Sequence, residues 1–76
     1  MTENITIGSK PVQVTNGSES ALVSVINGKA IRFADSDVEP NIKGDYTRDK
    51  LIVFPPLKIW VWTDGYPDAE VAITKW

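Results

Sequence analysis

The chain has no cysteine and no histidine in its 76 residues. The first absence excludes disulfides, and the two together exclude the soft and imidazole ligands of a structural zinc site. A domain this short sits near the size at which one core only just offsets chain entropy, so some other support is needed. Self-association is the support left open, and a homo-oligomer is expected. Also missing is any block of basic residues: 8 Lys+Arg stand against 10 Asp+Glu, a formal charge of −2. Such a balance gives a phosphate backbone little electrostatic reward, which argues against nucleic acid as a partner. No apolar run approaches the roughly 20 residues that span a bilayer, and Met1 to Thr6 have neither the basic start nor the apolar stretch of a signal peptide. The expectation is a soluble chain made in a cytoplasm, with no membrane partner.

Nucleophilic catalysis finds no footing either. Without His or Cys, the serines lie in turn or strand patterns that offer no base. Paired carboxylates of a glycosidase would need a cleft that a chain of this size hardly provides. No cofactor is called for, and the chain is expected not to be an enzyme.

What the sequence does contain is alternation. Ile5 and Ile7 flank Thr6, and Val12 and Val14 flank Gln13, the period-2 mark of half-buried strands. After a turn at Asn16 to Glu19, the β-branched run Ala21 to Ile26 ends at Asn27-Gly28, a strong hairpin signal. The spacing predicts Lys29 to Ala34 as its partner, with Ile26 opposite Lys29, Ser24 opposite Ile31 and Leu22 opposite Phe33. One face then carries Leu22, Ile26, Ile31 and Phe33. The other carries Ala21, Val23 and Val25 against Ala30, Arg32 and Ala34, joined by Val12 and Val14 across the Asn16 to Glu19 loop. A sheet apolar on both faces must be covered twice, or else the register is off by one, which would move every side chain to the opposite face.

Asp35 to Asp45 breaks the pattern and reads as a long surface loop, with a short helical turn or an edge segment near Tyr46. Its Asp35, Asp37 and Glu39 invite comparison with a calcium loop, but Pro40 occupies the glycine position and Tyr46 the position of the final Glu. A solvated acidic loop is the better reading, with no metal.

The densest apolar stretch is Leu51 to Thr63, Leu-Ile-Val-Phe-Pro-Pro-Leu-Lys-Ile-Trp-Val-Trp-Thr. Pro55-Pro56 cannot donate to a ladder, so this must be two strands, or one bent at a sheet edge. In its second half Leu57, Ile59 and Val61 point one way and Lys58, Trp60 and Trp62 the other. Ala69 to Trp76 alternates again after a turn at Asp64 to Asp68. Pairing the two across that turn sets Trp62 opposite Glu70, Trp60 opposite Ala72 and Lys58 opposite Thr74, with Trp76 near the end of the same face. The expected fold is all-β: a single domain over residues 1–76, a small antiparallel β-sandwich or barrel of six to seven strands.

Trp60, Trp62 and Trp76 are the most informative side chains. They can fill the core, anchor a subunit or partner interface, or form a platform for sugar rings, with Asp64, Tyr66 and Asp68 beside them to bond hydroxyls. As an interface, they would be joined by Arg32, on an otherwise apolar face, and by Tyr66.

The segments Val14-Thr15-Asn16-Gly17-Ser18, Ile31-Arg32-Phe33-Ala34-Asp35-Ser36 and Pro55-Pro56-Leu57-Lys58-Ile59-Trp60-Val61-Trp62 together resemble the small all-β accessory proteins of bacteriophage virions. These decorate a capsid or attach at the head, neck or tail. The resemblance is one of style over most of the chain and carries no diagnostic motif. It implies a structural virion protein without cofactor, assembled in the host cytoplasm and bound to other capsid, head or tail components. The alternative of a different class is a carbohydrate-binding or receptor-binding β module using the tryptophans as its platform.

Overall fold

A computed structural model describes residues 1–65 and 67–76. Eight strands follow one another: β1 (Thr2–Ile7), β2 (Val12–Gln13), β3 (Ala21–Val25), β4 (Ile31–Asp35), β5 (Asp45–Thr47), β6 (Lys50–Val53), β7 (Ile59–Trp62) and β8 (Ala69–Lys75). The fold is all-β, and no helix occurs among the described residues. The strand count corrects the expected six to seven. The additional strand is β5, whose Asp45–Thr47 adds a short edge to β4 at Tyr46, where an edge segment is one of two expectations.

The strands form two four-stranded sheets, ordered β1-β8-β3-β6 in the first and β2-β7-β4-β5 in the second, every pair antiparallel. The Cα atoms span 31 × 28 × 15 Å. The short dimension is what two stacked sheets require at about 10 Å between layers.

Both expected hairpins are corrected. The β3 strand pairs with β6 and β8 in the first sheet, whereas β4 pairs with β5 and β7 in the second. Asn27-Gly28 therefore carries the chain from one sheet to the other. The tight hairpin turn that this dipeptide favours needs positive φ at both central residues. Here Gly28 has φ 74° but, among the described residues, no non-glycine residue has positive φ. Asn27 spends its side chain instead on the Lys29 N–H at 3.3 Å and, through Nδ2, on the Asp68 carbonyl at 3.2 Å. Likewise β7 and β8 lie in different sheets, so Trp62 faces Arg32 rather than Glu70, and Trp60 faces Ala34 and Gln13 rather than Ala72. The Val12 to Val14 segment also joins the second sheet, beside β7, rather than β3. The Leu51 to Thr63 stretch is indeed two strands, β6 and β7, and Pro55 and Pro56, joined by a cis bond, mark the crossing between sheets. Of the seven connections only β4 to β5 stays within one sheet.

Crossing resolves the problem of a two-sided apolar sheet. The first sheet turns Ile5, Ile7, Ala21, Val23, Val25, Leu51, Val53, Ala69, Val71 and Ile73 inward, and the second turns Val14, Ile31, Phe33, Ile59 and Val61 to meet them. Ala21, Val23 and Val25 on β3 and Ile31 and Phe33 on β4 lie on opposite faces of the imagined hairpin. Folded as an arch, they face each other across one core, with no second covering needed. That core is almost wholly aliphatic, and its largest fully buried side chains include Ile7, Ile31, Val23 and Val61. Thr15 is buried with it at 1% exposure: its hydroxyl donates to the Leu57 carbonyl at 2.8 Å and accepts from the Ile59 N–H at 3.0 Å. Among the described residues no buried side-chain nitrogen or oxygen lacks a partner.

Candidate interaction surfaces

With the inward sets committed to the core, everything else the strands carry faces outward, and the two outer faces differ. On the first sheet the register aligns Leu22 with Ile52 on β6 and Thr74 on β8. One step further along, Ser20 exchanges both backbone hydrogen bonds with Trp76, at 2.9 and 3.0 Å. Continuing the β3–β6 register brings Phe54 to the same line. Its ring meets the Trp76 indole edge to face, with centroids 6.3 Å apart and planes at 83°. The pair is 56% and 63% exposed and Ile52 beside it 53%. Leu22, half-buried, completes an apolar row on a face that otherwise carries Thr2, Asn4, Ser24, Lys50, Ala72 and Thr74.

On the outer face of the second sheet three rows cross the strands. Ala34 and Gln13 flank Trp60. Tyr46, Arg32 and Trp62 form the next row, and Ala30 begins the last, between Arg48 and Asp64. Trp62 is 7% exposed although it points away from the core. The backbone of Gly44 lies against its ring, since a Cβ there would stand 3.2 Å from Cη2. Trp60 is half-buried and donates its Nε1–H to the Ser36 carbonyl at 2.9 Å. The β4–β5 connection thus covers the Trp62 ring through Gly44 and takes the Trp60 N–H through Ser36.

The three tryptophans do not form one group. Trp60 and Trp62 lie on the outer side of the second sheet and Trp76 at the end of the first. The single aromatic face expected from a β7–β8 hairpin is corrected for the reason that removes the hairpin: the two strands belong to different sheets. Tyr66 lies outside the described residues.

Arg32 does stand on the face of Trp62, and one edge of its guanidinium is taken by Asp64. Its Nε lies 3.1 and 3.0 Å from the two Asp64 carboxylate oxygens and its Nη2 2.9 Å from Oδ2. Its guanidinium carbon is 5.5 Å from the centroid of the Tyr46 ring, a cation–π distance. The hydrogen bond between them raises the Arg32 pKa and lowers that of Asp64 below the usual carboxylate range.

The acidic loop is likewise spent on structure. Asp35 accepts the Lys58 N–H at 2.7 Å, Asp37 pairs with the Lys58 ammonium at 2.9 Å, and Glu39 pairs with Lys10 at 3.2 Å. The hydrogen bond that the Lys58 ammonium donates to Asp37 is the largest reason that the Lys58 pKa is raised. Among the described residues no three acidic side chains converge as a metal site would require.

Sequence reasoning passed over Phe54, Ile52 and Leu22 as surface residues. The signal was the run Leu51-Ile52-Val53-Phe54, apolar at every position, which in a strand lining only one core must send half its side chains to solvent. Asp64 as the partner of Arg32 depends on a register between β4 and β7 that no local pattern announces. Comparison with family models, with curated proteins and with solved structures found no match.

Proposed function

We propose that this chain is a non-enzymatic structural protein of a bacteriophage virion, of the capsid decoration or head/tail accessory kind, that attaches to neighbouring subunits through the outer face of its first sheet. The observation that carries the reading is the apolar row Leu22, Ile52, Phe54 and Trp76 on that face, with the two aromatic rings already packed edge to face and more than half exposed. Exposed aromatic anchors set among polar residues are the usual make-up of an interface centre and its rim. Aromatic side chains bury roughly 150–250 Å² each, so Phe54 and Trp76 together leave roughly 200 Å² or more open. A standard interface takes about 800 Å² from each partner. The row therefore supplies the dry centre, and Thr2, Asn4, Ser24 and Lys50 the rim. The phage setting rests on the resemblance of the three quoted segments to virion accessory proteins. Function would be mechanical, in that area buried between neighbours resists their separation, and it calls for no cofactor.

The test is native mass across a dilution series, followed together with tryptophan emission, for the parent chain and for Phe54→Ser with Trp76→Ser. The parent should form a closed oligomer whose emission shifts red as it dissociates, because Trp76 is the indole that regains water. The double variant should remain monomeric with an intact fold. A parent that is monomeric at every concentration and binds no capsid or tail component refutes the proposal.

A further inference from the structure

On the opposite outer face, at the end of the second sheet, Ala30 contributes only a methyl group between Arg48 and Asp64. The missing bulk leaves a groove of about 220 Å³ walled by Arg32, Tyr46, Arg48 and Asp64. It runs on into a second hollow bordered by Lys29, Thr63 and Pro67. Three cations, Lys29, Arg32 and Arg48, face one carboxylate there, in a chain whose overall charge is −2. Asp64 occupies Nε and Nη2 of Arg32, and among the described residues nothing accepts from Nη1. Neither Arg48 nor Lys29 pairs with a carboxylate among the described residues. Asp64 fixes the Arg32 fork in place, so an incoming anion need not order it. Tyr46, 63% exposed, offers an aromatic plane at the groove wall.

We infer that this groove is a binding site for a carboxylate-bearing sugar, a hexuronate unit of an acidic glycan. Its carboxylate would take the free guanidinium donors of Arg32 and Arg48, since planar donors match a carboxylate fork to fork. The ring would lie along Tyr46, and its hydroxyls would reach Asp64. The groove has the size of one small ring, and the hollow it opens into leaves room for the next unit of the glycan. Apart from Ala30 and Ile31 at its floor, the described lining of the groove is guanidinium, hydroxyl and carboxylate with one aromatic plane. That favours a sugar over an acidic peptide. The site lies on the sheet opposite the proposed docking row, so the two readings stand or fall separately.

The test is an NMR titration of the whole chain with sodium glucuronate, reading the arginine Nε–H and Tyr46 ring signals. Glucose and sodium chloride at matched ionic strength serve as controls. Glucuronate should give saturable shifts at Arg32, Arg48 and Tyr46 that glucose and salt do not. Arg48→Gln, at an exposed position whose amide spectrum reports its fold directly, should weaken binding about tenfold, the effect of losing one charge-assisted contact. The inference is overturned if glucuronate shifts no more than salt does, if Arg48→Gln titrates like the parent, or if a capped glutamate peptide binds as tightly as the sugar.

Discussion

Replacing Thr15 by valine keeps the shape of a 1% exposed side chain and removes both of its hydrogen bonds. The hydroxyl bridges the Leu57 carbonyl and the Ile59 N–H, at 2.8 and 3.0 Å, where the chain arrives from the Pro55–Pro56 crossing and enters β7. In Thr15→Val the Ile59 N–H is left buried without a partner, at a cost of about 1–3 kcal/mol. The Leu57 carbonyl, nearer solvent, adds about 0.5–1 kcal/mol for the exchanged bond. A methyl in place of the hydroxyl returns under about 1 kcal/mol of apolar burial. The net loss is about 1–3 kcal/mol, against a total stability of roughly 4–11 kcal/mol for a domain of this length.

Urea unfolding followed by tryptophan fluorescence should show the midpoint falling with an unchanged slope, because the surface exposed on unfolding is the same. Thr15→Ser separates the two contributions. It retains both bonds and loses one methyl, so it should cost about 1 kcal/mol. If Thr15→Val is as stable as Thr15→Ser or more so, the hydroxyl bridge does not hold the crossing and the reasoning fails.

Gly44, with φ 66°, lies where a Cβ would run into the Phe33 carbonyl oxygen, whereas Gly28, with φ 74°, has nothing within 4 Å of that position. Gly44→Ala should therefore cost about 2–4 kcal/mol and Gly28→Ala only about 1 kcal/mol; equal melting temperatures for the two variants would contradict the packing of Gly44 on β4 and Trp62. The Arg32 hydrogen bond holds the folded-state pKa of Asp64 below its ordinary value of 3.8. This contribution is present above pH 3.8 and is lost as pH falls through the lower folded value. Asp64→Asn should accordingly flatten the acid limb of the urea midpoint below about pH 4; an acid limb parallel to that of the parent would show that the pair contributes nothing.

The strands were legible because period-2 alternation is local. Ile5 and Ile7, Ile59 and Val61, and Val71 and Ile73 each point inward as their spacing predicts. Which strand lies beside which was not legible. Asn27-Gly28 carries the local mark of a hairpin, yet whether a turn folds back within a sheet or crosses to the next depends on where the apolar faces of both flanking strands can be buried together. The clue was present in the two apolar faces that a β3–β4 hairpin would have had, a conflict between turn chemistry and burial in which burial wins. The same long-range choice separates Trp76 from Trp60 and Trp62, because β7 and β8 sit in different sheets despite a connection of hairpin length. β5 could be read only as an edge segment or a helical turn near Tyr46, because three residues between Gly44 and Arg48 are too few to alternate.

How this domain would meet a neighbour follows from its edges. Open edges invite strand addition unless they are short or polar. The second sheet ends in β2, of two residues, and β5, of three, and neither is long enough to template a partner strand. The first sheet ends in β1, whose outward residues Thr2, Asn4 and Thr6 are all polar, and in β6, which begins at Lys50 and stops before Pro55–Pro56, where no N–H remains to extend a ladder. Backbone pairing is thus poorly supported at β2, β5 and the end of β6, while the apolar row beside β6 remains open. Association would then rest on side chains, so substitutions at Phe54 and Trp76 should disrupt assembly far more than a proline placed in β1.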